Sequence, residues 1–256
     1  MAQLHVDTTC CPIIENSRDA LITSIYDKIS PMLRVEFHCH TIYSKDSLLR
    51  PEDLVKVCQQ KQIDRVVVTD HNTTAGAFAC QVFDPQRVII GEEIMTTQGE
   101  LLGFFLQEEI PAGLTPEETI RRLRDQGAFI SVSHPFDRYR GGSWQSEDLK
   151  RILDSIDAIE IFNARCYSSA FNKQAQDFAS FYALSGTTGS DAHAGFELGM
   201  ATLLLPEFTN TASLKDALIH ASPDLHLSSP LVHFVSRYAV FYKKLFGGIN
   251  SISRGS

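Results

Sequence analysis

No apolar run of roughly 18 residues, the length a membrane-spanning helix needs, occurs in the 256-residue chain, so no membrane span is expected. Residues 1–9 lack the basic-then-apolar order of a secretory signal, and a cytoplasmic location follows as the default. Excess positive charge is missing too: the formal net charge is −8 and the pI is near 5.6. Such a chain is poorly suited to long duplex nucleic acid, which is bound by basic surfaces. A small phosphorylated substrate, a nucleotide or a short oligonucleotide stays compatible. The cysteines Cys10, Cys11, Cys39, Cys58, Cys80 and Cys166 contain no CxxC pair. Their spacing fits neither a zinc ribbon nor a disulfide framework, and reduced thiols are expected. Internal repeats and low-complexity tracts are absent as well.

Apolar residues make up 43% of the chain, enough for a substantial core. From Arg34 onward, strand and helix patterns alternate. Strands are expected at Val35–His40, Arg65–Thr69, Arg87–Glu93, Leu101–Leu106, Phe129–Ser133, Ala158–Phe162 and Met200–Leu205, with a short one ending near Ser190. Helices are expected at Pro51–Lys61, Thr115–Gln126, Ser146–Leu153, Ser168–Tyr182 and Ala212–Ala221. Pro51-Glu-Asp and Thr115-Pro-Glu-Glu are helix starts, with proline in the first turn and acidic groups at the positive end of the dipole. This alternation implies an α/β domain with a mainly parallel sheet, open or closed into a barrel. The chain divides into an N-terminal extension (1–33) with a short helix around Arg18–Ile29, the α/β domain (34–225), and a C-terminal helix with a flexible tail (226–256). Residues Pro230–Phe246 carry apolar and aromatic side chains at helical spacing and are read as a packed helix. Their polar face is too weakly basic to favour a membrane-surface helix.

Ligand-type residues gather where the strands finish. In Val-Glu-Phe-His-Cys-His (35–40), alternation puts Glu36, His38 and His40 on one face. The apolar strand Val66–Val68 stops at Thr-Asp-His-Asn, where Asp70 and His71 fit a helix cap as well as a metal. Glu92 and Glu93 close another strand on opposite faces, so one of them is expected to face a site. His134 follows Phe129–Ser133, and Asp191 and His193 stand two apart, like His38 and His40. Active sites of α/β barrels and open sheets lie at the carboxyl ends of their strands. Histidines and carboxylates collected there point to a metal site. Mixed nitrogen and oxygen ligands suit Mn²⁺, Fe²⁺ or Zn²⁺ better than Ca²⁺. Asn163 and Arg165 end a further strand, and an arginine there suits bidentate phosphate recognition as well as a salt bridge.

These segments resemble the PHP (polymerase and histidinol phosphatase) superfamily of metal-dependent phosphoesterases. The resemblance rests on His-Cys-His-Thr (38–41), Asp-Ser-Leu-Leu-Arg-Pro-Glu-Asp-Leu (46–54), Thr-Asp-His-Asn-Thr (69–73), Gly-Glu-Glu-Ile (91–94), Ser-His-Pro-Phe (133–136), Phe-Asn-Ala-Arg (162–165) and Gly-Ser-Asp-Ala-His (189–193). It implies a distorted (β/α)₇ barrel with two or three divalent ions at its mouth. The first would be held by His38, His40, Glu93 and Asp191, the second by Glu93 and His134, and the third by Asp46, His71 and His193. Glu100 stands where many relatives have a histidine for the second ion, and one extra residue separates His40 from Asp46. The implied activity is hydrolysis of a phosphoester by a metal-activated hydroxide. Arg165 would hold a phosphoryl oxygen, His193 or His134 would protonate the leaving group, and Asp70 would orient ligands from behind. The alternatives are a phosphodiesterase or exonuclease acting on short oligonucleotides, a non-catalytic metal-binding PHP module, and hydrolysis of a C–N or C–O bond.

Overall fold

The computed structural model describes residues 31–250. The expected N-terminal helix around Arg18–Ile29 and the end of the tail lie outside the described residues. The elements are β1 (Met32–Cys39), α1 (Pro51–Gln60), β2 (Arg65–Val68), α2 (Ala75–Gln81), β3 (Val88–Met95), β4 (Glu100–Phe104), α3 (Pro116–Asp125), β5 (Phe129–Val132) and α4 (Ser146–Arg151). They continue through β6 (Ala158–Asn163), α5 (Ser169–Phe181), β7 (Ser185–Gly189), β8 (Ala201–Pro206), α6 (Thr211–Leu218), β9 (Ser222–Leu225) and α7 (Val232–Asn250).

Helix starts follow their local chemistry. Pro51 opens α1 with Glu52 and Asp53 in its first turn. At α3, Thr115 Oγ1 accepts the Glu118 N–H at 3.3 Å, satisfying a backbone donor that the helix cannot. Gly127 follows α3 in the left-handed region at φ +70°, the conformation in which glycine carries no Cβ penalty.

The strands lie in the order β7-β6-β5-β4-β3-β2-β1-β8-β9. β1, β2 and β3 are parallel, as are β5, β6 and β7, while β4 runs antiparallel to both β3 and β5. The ring closes where the segment after β7 returns to β1: Asp191 N donates to His38 O at 2.7 Å and His40 N to Ala192 O at 2.8 Å. The result is the nearly closed, distorted barrel that the resemblance implied. Strand alternation buries both faces. Val66, Val68, Ile130 and Val132 pack with Leu54, Ala77 and Leu123 of the helices. Val67, Phe37, Phe104 and Phe129 form a second cluster with Leu214 of α6. In that cluster Phe104 and Phe129 stack with centroids 5.5 Å apart.

Two elements were absent from the sequence reading. α2 is a short Ala-Gly-Ala-Phe-Ala-Cys-Gln helix whose Thr74 makes no side-chain cap. β9 contains Pro223, paired opposite Leu203 on β8, and lies at the edge of the sheet, where proline is tolerated. The C-terminal helix begins two residues later than expected and runs through Gly247 and Gly248 to Asn250. One face of it packs, with Val232 and Ala239 buried, while Phe234, Tyr238 and Phe241 are exposed. Among the described residues, no helix is long and apolar enough to cross a membrane.

Candidate metal centre

The barrel rim formed by the carboxyl ends of the parallel strands carries the ligand-type residues. β1 delivers His38 and His40, the turn after β2 delivers His71, β3 delivers Glu93, and the residue pairs after β5 and β7 deliver His134, Asp191 and His193. Because β4 is antiparallel, its first residue, Glu100, arrives at this same rim. Asp46 comes from the β1–α1 loop. Asp191 sits in the left-handed region at φ +51°, a costly conformation for a residue with a Cβ. It ends the β7 strand in a turn that brings Asp191 and His193 over β1.

Glu93 is the centre of the cluster. Its Oε2 lies 3.4 Å from both His38 Nε2 and His40 Nε2 and 2.9 Å from His71 Nδ1. Its Oε1 lies 3.1 Å from His134 Nε2. Asp191 Oδ1 is 3.2 Å from His40 Nε2 and 3.8 Å from His38 Nε2. Glu100 reaches His134 Nε2 at 3.5 Å and His71 Nδ1 at 3.9 Å through its two oxygens. Asp46 Oδ2 stands between His193 Nε2 (3.3 Å) and His71 Nε2 (3.6 Å). Every metal-ligand residue expected from the sequence is thus brought to one rim. The structure separates Glu92 from Glu93 as alternation demands: Glu92 Oε2 accepts the Ile110 N–H at 2.9 Å, away from the cluster.

Cation binding fits this arrangement on two grounds. First, Glu93 Oε2 and Asp191 Oδ1 are buried with histidine nitrogens near them but none in hydrogen-bonding geometry, and Asp46 Oδ1 is buried without a hydrogen-bond partner. Leaving carboxylate oxygens so costs several kcal/mol on the usual scale, roughly 1–3 per group or more, unless a cation meets them. Second, three ligand groups, His38-His40-Glu93, His71-Glu93-Glu100 and His40-His71-His193, each place their donor atoms within 4.8 Å of one another.

The charges are strongly interdependent. Burial pushes the His38 pKa down, but Glu93, Asp191 and Glu160 outweigh it and hold it well above the ordinary value. Burial, with His193 and His71 nearby, drives His40 well below. Burial opposes ionisation of Glu93 and Asp191, yet the histidines around Glu93, and Arg140 with His38 beside Asp191, keep both carboxyls well below their usual range. Burial and the neighbouring Glu93 charge push Glu100 up.

Behind the ligands lies a buried polar layer. Asp70 does not face the cleft. Its carboxylate accepts from Thr41 N, Thr41 Oγ1 and Ser44 Oγ, each at 2.6 Å. Since Ser44 donates to Asp70, its oxygen is left to accept from the His71 N–H at 3.0 Å and from His40 Nδ1 at 3.1 Å. His40 Nε2 then carries a lone pair toward the cluster. Glu160 does the same for His38, accepting from Nδ1 at 3.0 Å. Its other oxygen accepts the His134 N–H at 2.7 Å.

Arg165 is buried; both of its Nη atoms are hydrogen-bonded and its Nε makes an ion pair. Nε lies 3.2 Å from Glu197 Oε2. Nη1 faces His193 Nδ1 and the Asp191 carbonyl, and Nη2 donates to Val232 O at 3.0 Å and Ser236 Oγ at 2.9 Å, both on α7. Sequence reasoning passed over Arg140, whose Nη1 pairs with Asp191 Oδ2 inside the cleft. It also passed over Glu160 and Glu197. The signals were present: Arg138-Tyr-Arg-Gly-Gly is a basic, glycine-ended loop just past the His134 strand, and Glu160 is a carboxylate within the apolar strand Ala158–Phe162.

The barrel is similar to solved structures at low identity. A two-domain protein from Bacteroides vulgatus, containing a predicted PHP-like metal-dependent phosphoesterase, superposes with a TM-score of 0.60 at 19% identity, over 77% of this chain and 66% of that one. PsfC from Pseudomonas syringae gives 0.57 at 18%, over 82% and 98%. In sequence, two uncharacterised proteins of Methanocaldococcus jannaschii are each 37% identical. One matches over 178 residues (68% of this chain, 71% of that one), the other over 146 residues (52% and 82%). The family model of the PHP domain spans residues 36–239, from the first strand into the last helix and across every ligand-type residue above, and the chain belongs to the PHP domain family.

Proposed function

We propose that this rim hydrolyses the phosphoester of a small phosphorylated metabolite or nucleotide, using two or three bound divalent cations. The observation that carries the reading is Glu93. Its two oxygens face opposite ways, Oε1 to His134 and Oε2 to His38, His40 and His71, as a carboxylate shared between neighbouring cations must. His38, His40, Glu93 and Asp191 would hold one ion, Glu93, His134 and Glu100 a second, and Asp46, His71 and His193 a third. The nitrogen and oxygen donors suit Mn²⁺, Fe²⁺ or Zn²⁺. Bound there, such ions supply charge neutralisation at the phosphoryl group and lower the pKa of water.

The remaining work falls to the chain. Glu160 and the Asp70–Ser44 pair fix the ring orientation of His38 and His40, so Asp70 acts as a positioning residue. Arg165, already bound to Glu197 and α7, holds the Asp191–His193 turn in place and has little left to offer a substrate. Arg140 is the guanidinium in the open cleft. One of its nitrogens pairs with Asp191 Oδ2, and the rest of the guanidinium would hold phosphoryl oxygens through charge-assisted bonds. His193 lies on the cleft wall with its Nε2 toward Asp46, which suits it to hold an ion rather than to give a proton to the leaving group.

The cleft is walled by α7 and the Arg140 loop, and the chain is acidic. Both favour a small substrate over a polymer. Release of inorganic phosphate from a panel of mono- and diesters, with Mn²⁺ and with a chelator, tests the reading. Cleavage confined to diesters would shift it to a phosphodiesterase. Protein loaded with metal but inert on every ester would leave a metal-binding module or a C–N hydrolase.

A further inference from the structure

We infer that the organic part of the substrate carries a flat aromatic ring system, received by a cavity beside the metal-ligand cluster. The inference rests on the phosphoesterase reading and names the substrate class for that same site. The cavity measures about 690 Å³, within the range of roughly 300–1,000 Å³ typical of small-molecule sites. It adjoins the cleft, since His71 and Glu100 line both spaces. A phosphoester with its phosphoryl group at the cluster would therefore have this space within reach of its alcohol portion.

The wall chemistry selects what can sit there. The β1–α1 loop contributes Ile42 and Tyr43, and α7 contributes Tyr242 and Phe246. The two α7 rings contact each other with centroids 4.9 Å apart. Tyr43, Tyr242 and Phe246 are each exposed by between 42% and 49%, so their faces are available to a ligand. Lys45, Asn72 and Glu100 also line the cavity, but against these ring faces a flat ring buries apolar area that a polyol cannot. The wall is held in place: Lys243 Nζ, one helical turn before the end of the cavity lining, donates to Ile42 O at 2.6 Å and to Ser44 O. This ties α7 to the same loop that orients His40. Lys45 lines both spaces and places a positive charge at their junction, where an anionic ester would pass.

Two phosphonates, whose C–P bonds are not hydrolysed, separate binding from turnover: 1-naphthylphosphonate and methylphosphonate. With the full chain and Mn²⁺, calorimetry is expected to show the naphthyl compound binding at least about tenfold more tightly, the scale of one well-filled apolar pocket. Phe246→Ala and Tyr242→Ala, at exposed positions outside the ligand cluster, should erase most of that difference and leave methylphosphonate unchanged. Hydrolysis should follow suit, with KM for 1-naphthyl phosphate rising in the variants and turnover of glycerol 2-phosphate unaltered. Equal affinity for the two phosphonates, or naphthyl binding untouched in both variants, overturns the inference. Absence of hydrolysis by the wild-type protein would instead strike the phosphoesterase reading, and the phosphonate comparison would still decide this one.

Discussion

Glu160 Oε1 lies 3.0 Å from His38 Nδ1, and the other oxygen of the same carboxylate accepts the His134 backbone N–H at 2.7 Å. One buried side chain thus orients ligands of two proposed ion sites. Partners of this kind typically contribute 10–100-fold to metal affinity. Glu160→Ala is expected to weaken Mn²⁺ binding by about that factor, measured by calorimetry on protein stripped with a chelator, and Glu160→Gln should recover part of the loss. Unchanged affinity in Glu160→Ala would remove its positioning role.

The two arginines of the cleft should part company. Arg140→Ala is expected to raise both KM and the inhibition constant of inorganic phosphate by about tenfold or more, the loss of one charge-assisted bond of roughly 1.5–3 kcal/mol. Its melting temperature should change little. Arg165→Ala removes a buried group bound to Glu197, Val232 and Ser236, so thermal stability should drop before substrate affinity does. The reverse pattern would restore Arg165 as the phosphate handle.

Gly142 packs directly on Glu100: a Cβ at this position would overlap Glu100 Oε2. Gly142→Ala is therefore expected to displace Glu100 from His134 and His71 and to lower the number of ions held, read by metal analysis after dialysis. Full stoichiometry in that variant would mean that Glu100 is not a ligand.

Asp157 supplies a pH test away from the rim. Its carboxylate accepts from Arg124 at 2.6 and 2.9 Å and from Ile130 N at 2.8 Å, and it pairs with Lys215 at 2.6 Å. Burial pushes its pKa up, but Arg124, Lys215 and the Ile130 N–H bring the net value below the ordinary one. A carboxyl with a depressed folded-state pKa stabilises the fold above its unfolded value, near about 4, and loses that contribution as pH falls through the folded value. Asp157→Asn should lower the melting temperature at neutral pH. It should also make the loss of stability below about pH 4 shallower than in the wild type. Parallel acid profiles would exclude Asp157 as a contributor.

The parts that could be read from the sequence were those with strong local signals. Alternation in Val35–His40 placed His38 and His40 together, and the abrupt end of Val66–Val68 marked the rim. What escaped depends on tertiary packing. β9 hides behind Pro223, a residue that argues against a strand unless it lies at a sheet edge. Glu160 reads as a stray carboxylate until His38 is seen above it. For Arg165 the sequence left phosphate recognition and a salt bridge both open, because the helix that binds it lies at residues 232–250, far along the chain. Glu100 was reached through the resemblance alone, and it is the antiparallel direction of β4 that brings that end of the strand to the rim.

The central claim is tested most directly by phosphate release from a panel of phosphomonoesters, measured with Mn²⁺, with chelator, and in His38→Ala. The account predicts Mn²⁺-dependent turnover that chelator abolishes and that His38→Ala reduces by orders of magnitude while the fold is retained. Turnover indifferent to chelator and to His38→Ala, or none at all in protein shown to hold its ions, would contradict it.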